Sequence, residues 1–143
     1  MNRDTLTSSG LLLLRVTFGL LMLNHGWQKL SGYSEMAETF PDPLGMGNQL
    51  SLIAAIGAEL GCSLLLIAGL GTRLASLPLA FTMVIALFVI HGDDPWQKKE
   101  LAACYLAVYA VILLTGPGNF SIDAIIKRRS DRPTISPKLT EEA

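Results

Sequence analysis

Four long runs of this chain carry almost no charged side chains, and they limit the possible fold more than any other feature. Half of the 143 residues are hydrophobic and 16% are charged, and the charges collect between the runs and in the C-terminal tail. An α-helix needs about 20 apolar residues to cross the hydrocarbon core of a bilayer. With their flanks, the runs predict an all-α membrane protein whose four-transmembrane-helix bundle has spans at about residues 8–28, 49–70, 74–91 and 99–116.

A water-soluble helical domain does not fit this pattern. A helix at the surface of a soluble bundle must present a polar face to water. The run from Leu74 to Ile90 offers only Ser76 and Thr82 for that purpose. The first run is Leu-rich like a signal peptide, but no small-residue cleavage site follows it, so we expect it to be retained as a span. No phosphate-binding glycine loop and no basic face for nucleic acid are present.

The distribution of Lys and Arg predicts that both ends of the chain lie in the cytoplasm. Short cytoplasmic loops of membrane proteins carry an excess of basic residues. With four crossings, the N-terminus, the loop at residues 71–73 and the tail share one side. That side carries Arg3, Arg73, Lys127, Arg128, Arg129, Arg132 and Lys138, and the other carries Lys29, Lys98 and Lys99. Residues 127–143 are polar, and we expect a disordered cytoplasmic tail there.

Two charged residues lie inside the predicted spans. A charged side chain within a membrane costs about 2.5–3.5 kcal/mol on insertion scales, so it needs a partner or a route to water. Arg15 and Glu59 each lie about ten residues from the outer ends of their spans, which places both near mid-depth. The sequence therefore predicts an Arg15–Glu59 ion pair between neighbouring antiparallel helices. This pair could serve a ligand site, or it could only fix the register of the two helices.

A second polar layer is expected near the outer surface. His25 lies near the end of the first span, His91 ends the third and Glu100 begins the fourth, with Lys29 close by. These side chains can exchange protons, or they could simply contact water at the interface. Two imidazoles and a carboxylate could also bind a transition metal, although their spacing matches no recognised metal motif. The long apolar connection at residues 31–48 is expected to fold over this mouth of the bundle.

Small residues in the second span predict close helix packing. Gly57 and Gly61 form a stripe on the side of the helix away from Glu59, suited to a neighbouring helix or to a second copy of the chain. Cys62 and Cys104 are expected to differ in depth by about 12 Å, which is too far for a disulfide. Both cysteines are interpreted as small packing residues.

Several of these residues together resemble the DoxX family, over about residues 10–126. The resemblance rests on Arg15, residues 25–30 (HGWQKL), Glu59, residues 69–73 (GLGTR), His91, Glu100 and residues 116–118 (GPG) before Asp123. It implies a four-helix protein of the bacterial inner membrane, similar to membrane subunits of oxidoreductases, including quinone-linked thiosulfate oxidation, or to companions of thiol-metabolism and oxidative-stress enzymes. The positions it carries over are Arg15, His25, Lys29, Glu59, Arg73, His91, Glu100 and Asp123.

The residues and the resemblance together predict a redox-associated membrane subunit that binds a quinone, or a similar small apolar molecule, near the outer leaflet. Arg15 and Glu59 would anchor the ligand, and His25, His91 and Glu100, with Lys29 nearby, would exchange protons with the periplasm. The partners would be the lipid bilayer and oxidoreductase or thiol-metabolism enzymes. Two alternatives are a non-catalytic scaffold that recruits soluble enzymes and a small transporter that acts as a homo-oligomer.

Overall fold

The computed structural model describes residues 2–131 as an all-helical protein, and no β-strand occurs in that range. We label its helices α1 to α6 in chain order. They are α1 (Arg3–Ser31), α2 (Tyr33–Met36), α3 (Asn48–Ala68), α4 (Thr72–Ile90), α5 (Trp96–Thr115) and α6 (Ile122–Ser130). The prediction of a disordered tail is wrong for residues 127–130, which are helical and belong to α6, and residues 132–143 lie outside the described part of the chain.

Within the described residues, three helices are long and apolar enough to cross a membrane, judged by length and composition: α1, α3 and α4. The fourth predicted span falls on α5, which has 20 residues but carries Lys98, Lys99 and Glu100 close to its start. The four long helices pack side by side, with α1 against α3 and α4 against α5 as the largest interfaces. Their shared core is Met22, Leu66, Leu79, Met83, Ala102, Tyr105, Tyr109 and Ile112.

The bundle has two different ends. At the turn end, residues 69–71 join α3 to α4, and residues 116–121 lead from α5 to α6. At the loop end lie residues 32–47 and residues 91–95. Gly69 and Gly71 both adopt left-handed backbone conformations (φ 73° and 56°), which glycine reaches without steric cost. The amide of Leu70 donates to the carbonyl of Leu65 over 3.0 Å, so α3 ends in a tight glycine cap.

Close packing in this bundle depends on glycines of α1 rather than of α3. The buried positions of α1 recur every three or four residues, as one helix face requires, and include Gly19 and Gly26. A Cβ on Gly26 would lie 2.9 Å from the Leu60 amide nitrogen, so the two backbones are in direct contact. Gly57 and Gly61 are exposed and have open space around them. The prediction that their stripe packs inside the chain is therefore wrong, and the alternative contact with a second copy stays a prediction.

Helix α6 is held against the turn end by Asp123. Its carboxylate accepts hydrogen bonds from the amide of Gly71 (2.7 Å) and from the amide and hydroxyl of Thr72 (3.0 and 2.9 Å). These are the unpaired donors at the start of α4, which a carboxylate is well placed to satisfy. The Asp123 amide in turn donates to the carbonyl of Gly69 over 2.9 Å. A residue 51 positions away in sequence from Thr72 thus caps α4.

We expect the attachment of α6 to weaken in acid. Burial alone would raise the pKa of Asp123, but the hydrogen bonds from Thr72 and Gly71 and the charge of Arg15 outweigh it and hold that pKa below its usual value. Its stabilising contribution is therefore complete above the unfolded pKa of about 3.9 and is lost as pH falls through the lower folded pKa. The protection of residues 122–130 against hydrogen exchange, measured relative to the intrinsic exchange rate at each pH, should fall below about pH 4 in the wild type. Asp123→Asn should show fast exchange at neutral pH as well, and equal protection in both proteins would contradict the assignment.

Candidate ligand-binding site

A cavity of about 530 Å³ lies at the loop end, between all four long helices. This volume is in the range of pockets that enclose drug-sized ligands. Most of its wall is apolar, and five residues of the α2–α3 loop line its mouth: Phe40, Pro41, Pro43, Leu44 and Met46. The apolar loop therefore covers the mouth of the bundle, as its composition predicts.

Asp42 holds this loop in place. Its carboxylate accepts hydrogen bonds from the amides of Met46 (2.9 Å) and Gly47 (2.8 Å) and from the hydroxyl of Ser51 (2.8 Å). The bonds from Gly47 and Ser51 contribute most to lowering the pKa of Asp42 below its usual value. Since Ser51 belongs to α3, the bonds tie the loop to the first turn of that helix.

An ion pair between Lys29 and Glu59 lies inside the cavity. The Lys29 Nζ lies 2.9 and 2.6 Å from the two carboxylate oxygens of Glu59. Glu59 is 3% exposed and Lys29 is 25% exposed, so the pair is largely shielded but reaches the cavity. Gly26, one turn before Lys29 on α1, has no side chain, so α1 can approach Glu59 and Leu60 of α3 closely. This close approach brings Lys29 within hydrogen-bond distance of Glu59.

The predicted Arg15–Glu59 ion pair is wrong. Arg15 is fully buried at the turn end, where its Nη2 donates to the carbonyl of Phe120 over 2.6 Å. Helix α1 continues to Ser31, which places Arg15 farther from the loop end than the predicted span allows. Helical side chains also lean towards the N-terminus of their helix. Lys29 therefore leans towards Glu59, whereas Arg15 leans away from it.

The two histidines line the cavity, but Glu100 does not. The His25 ring meets the Tyr105 ring edge-on with centroids 6.0 Å apart, and the His91 Nδ1 lies 2.7 Å from a carboxylate oxygen of Asp94. Glu100 is exposed, since the inward positions of α5 are Ala102, Tyr105 and their helical neighbours. Glu100 therefore lies at the loop end, near the start of α5, but outside the cavity that the two histidines line.

The suggested metal site of His25, His91 and Glu100 does not form either. Within residues 2–131, no three His, Cys, Asp or Glu side chains lie close enough together to hold a metal ion. Cys62 and Cys104 are free thiols, one half-buried and one exposed.

Two π-helical segments border the cavity. Gly57–Cys62 in α3 contains Glu59 and Ala58, and Ala86–Ile90 in α4 leads to His91. The His91 amide donates to the Ala86 carbonyl over 2.9 Å, which is the wider i to i+5 bond of a π-helix. Such segments are rare and frequently occur at functional sites. They are local distortions that hydropathy does not reveal.

Sequence analysis also missed the tyrosines of α5. Tyr105 lines the cavity and stacks on Tyr109 at 6.0 Å, and Phe18 meets Tyr105 edge-on at 5.5 Å. The Tyr109 hydroxyl and the Ser63 hydroxyl are buried without a hydrogen-bond partner among the described residues. Ser63 lies one turn beyond Glu59, so polar groups continue below the ion pair. The spacing of Ala102, Tyr105 and Tyr109 along one helix face is the signal that would have indicated them.

The DoxX family model matches residues 10–92 of the chain, which is more than half of it. The chain belongs to the DoxX family. The matched region contains Arg15, His25, Lys29, Glu59 and His91, and it ends before α5. Helices α1, α3 and α4 of this DoxX protein therefore carry the family match, while Tyr105 lies outside it.

Two relatives match this DoxX protein over most of its length. An uncharacterized protein of Haemophilus influenzae is 28% identical over 126 residues, covering 82% of this chain and 83% of the relative. The inner membrane protein YqjF of Escherichia coli is 25% identical over 125 residues, covering 84% of this chain and 94% of the relative. No solved structure matches. The chain is thus a DoxX family membrane protein.

Proposed function

We propose that this DoxX protein is a multi-pass protein of the bacterial inner membrane with four crossings and both ends in the cytoplasm. The similarity to an inner membrane protein of Escherichia coli supports the location. Helix α5 supports the fourth crossing, since it has 20 residues and packs along α4 inside the bundle. The turn end carries Arg73 and the basic last turn of α6, which supports a cytoplasmic turn end. The cavity then lies in the periplasmic half of the bundle.

We further propose that the cavity binds a quinone, or a similar small apolar molecule with a polar head, in a redox-associated role. The observation that carries this proposal is the Lys29–Glu59 pair inside an otherwise mostly apolar cavity. Lys29 donates hydrogen bonds and is suited to a quinone carbonyl oxygen, and the apolar walls suit the ring. His25 and His91, near the mouth, are suited to exchange protons with water. A partner oxidoreductase would supply or accept the electrons.

Binding of decylubiquinone to the purified protein in nanodiscs tests this proposal. Quenching of Trp27 and Trp96 fluorescence reports the dissociation constant, with circular dichroism as the check that each variant is folded. Glu59→Gln removes the carboxylate that holds the Lys29 ammonium in the cavity, and His25→Ala removes a polar group from the cavity wall. We expect each to weaken binding about 10-fold or more, since a hydrogen bond from a charged group such as the Lys29 ammonium contributes about 1.5–3 kcal/mol.

Glu100→Gln is the matched control, because Glu100 is an exposed carboxylate outside the cavity. It should bind like the wild type. Unsaturable binding to the wild type, or equal affinity of the wild type and folded Glu59→Gln and His25→Ala variants, would contradict the proposal.

A further inference from the structure

The cavity has an opening in its side wall, between α3 and α4. These helices contact each other along residues 57–68 of α3, and the first part of α3 makes few contacts with α4. The gap is bordered by Ala54 and Ala58 of α3 and by Pro78 and Phe81 of α4, and all four line the cavity. We call the gap between these four residues the lateral opening. Because α3 presents only small side chains here, the helices leave a gap.

The lateral opening faces the side of the bundle that would contact lipid. Ala54 and Pro78 are exposed, and Phe81 is 53% exposed. Their exposed neighbours on the same helices, Ile53 and Val84, are also apolar. An apolar opening on a membrane helix bundle meets hydrocarbon rather than water.

Access from the aqueous side is more restricted. Phe40, Pro41 and Leu44 lie over the mouth, and the Asp42 carboxylate fixes their loop to Ser51 at the start of α3. The cavity is therefore covered on its water-facing end and open on its lipid-facing side.

The Lys29–Glu59 ion pair and the lateral opening lie in different parts of the cavity wall. Lys29 and His25 belong to α1, Glu59 points to α1, and the lateral opening has apolar side chains only. A bound amphiphile would place its polar head at the ion pair and its apolar part in the opening. A cavity of about 530 Å³ encloses a drug-sized group, so a long tail has to leave through the gap.

We infer that the ligand is a single-tailed amphiphile that enters from the bilayer through the lateral opening and keeps its tail there. This inference rests on the proposed function of the cavity. It adds the route of entry and the position of the tail. The tail lies in hydrocarbon both before and after binding, so it concentrates the ligand in the bilayer, and its path through the lateral opening is a steric requirement rather than a source of hydrophobic binding energy.

Two probes with the same ring separate head from tail: decylubiquinone and its tail-free form, 2,3-dimethoxy-5-methyl-1,4-benzoquinone. Ala54→Phe fills the lateral opening from an exposed position, with Ala58→Leu as a second, smaller obstruction. Ala68→Phe is the matched control, since Ala68 is exposed near the turn end. Dissociation constants are measured in nanodiscs by tryptophan quenching.

We expect Ala54→Phe to weaken decylubiquinone binding about 10-fold or more, because the added ring obstructs the path of the tail and overpacking of this kind costs about 1–3 kcal/mol. Ala58→Leu should also weaken decylubiquinone binding. The affinity of both variants for the tail-free benzoquinone should change less than about twofold. Ala68→Phe should bind both probes like the wild type. If both obstructing variants bind decylubiquinone normally, or lose both probes equally, the lateral opening is not the tail site. If the wild type binds neither probe, the proposed function fails and this inference fails with it.

Discussion

Glu59→Leu is expected to lower the free energy of unfolding by about 3–5 kcal/mol, which is the usual cost of removing one partner of a buried ion pair. The substitution leaves the Lys29 ammonium beside α3 with no carboxylate, although both oxygens of Glu59 lie within 3 Å of it in the wild type, at 2.9 and 2.6 Å. Apolar surroundings make that unpaired charge costly. Thermal or denaturant unfolding in a defined detergent, followed by circular dichroism, gives the change.

A double-mutant cycle identifies the partner. Lys29→Met combined with Glu59→Leu should recover most of the lost stability, because replacing a whole buried pair by apolar side chains is often neutral. The stability losses of Arg15→Met and Glu59→Leu should add, since Arg15 lies at the other end of the bundle and donates a hydrogen bond to the Phe120 carbonyl. Coupling between Arg15 and Glu59, with none between Lys29 and Glu59, would contradict the structure.

Gly69→Ala is expected to destabilise the protein by about 2–5 kcal/mol, from a left-handed backbone and from overpacking together. The residue has φ 73°, and a Cβ there would fall on the Arg15 Nη1 and within 2.6 Å of the Ser121 Cβ. The buried guanidinium would have to move away from the Phe120 carbonyl. Residues 116–121, which lead into α6, should pack less tightly as a result.

Gly71→Ala is the control for backbone strain alone. Gly71 also has a positive φ, of 56°, but a Cβ there would have no neighbour within 4 Å. It should cost only about 1–2 kcal/mol. Unfolding midpoints of the two variants measured side by side give the difference, and equal losses would show that Arg15 does not pack against Gly69.

The membrane character and the helix positions could be predicted from the sequence, because apolar length and charge placement act locally. The left-handed turn at Gly69 and Gly71 and the end of α5 before Gly116 follow from residues that stop helices. Helix α1 extends beyond the predicted span of residues 8–28 at both ends, to Arg3 and to Ser31, since its polar end residues do not register in hydropathy.

The candidate site was only partly predictable, because periodicity shows which residues share a helix face but not how two helices align in height. Lys29, His25 and Glu59 were recognised, yet Arg15 was paired with Glu59 because α1 was expected to end earlier. The relative height of α1 and α3 is set by the contact of Gly26 with Leu60. This contact depends on both helices, so the pattern of either helix alone does not show it. The gap beside Ala54 likewise depends on how α3 and α4 pack together. The π-helical segments have no signature in hydropathy.

Photo-crosslinking with an azidoquinone in native membranes tests most directly whether the cavity binds a quinone. The account predicts that labelled peptides, mapped by mass spectrometry, contain Lys29, Glu59 or Tyr105, and that excess decylubiquinone prevents the labelling. Labelling that decylubiquinone does not compete with, or that falls around Arg15 at the turn end instead, would contradict it.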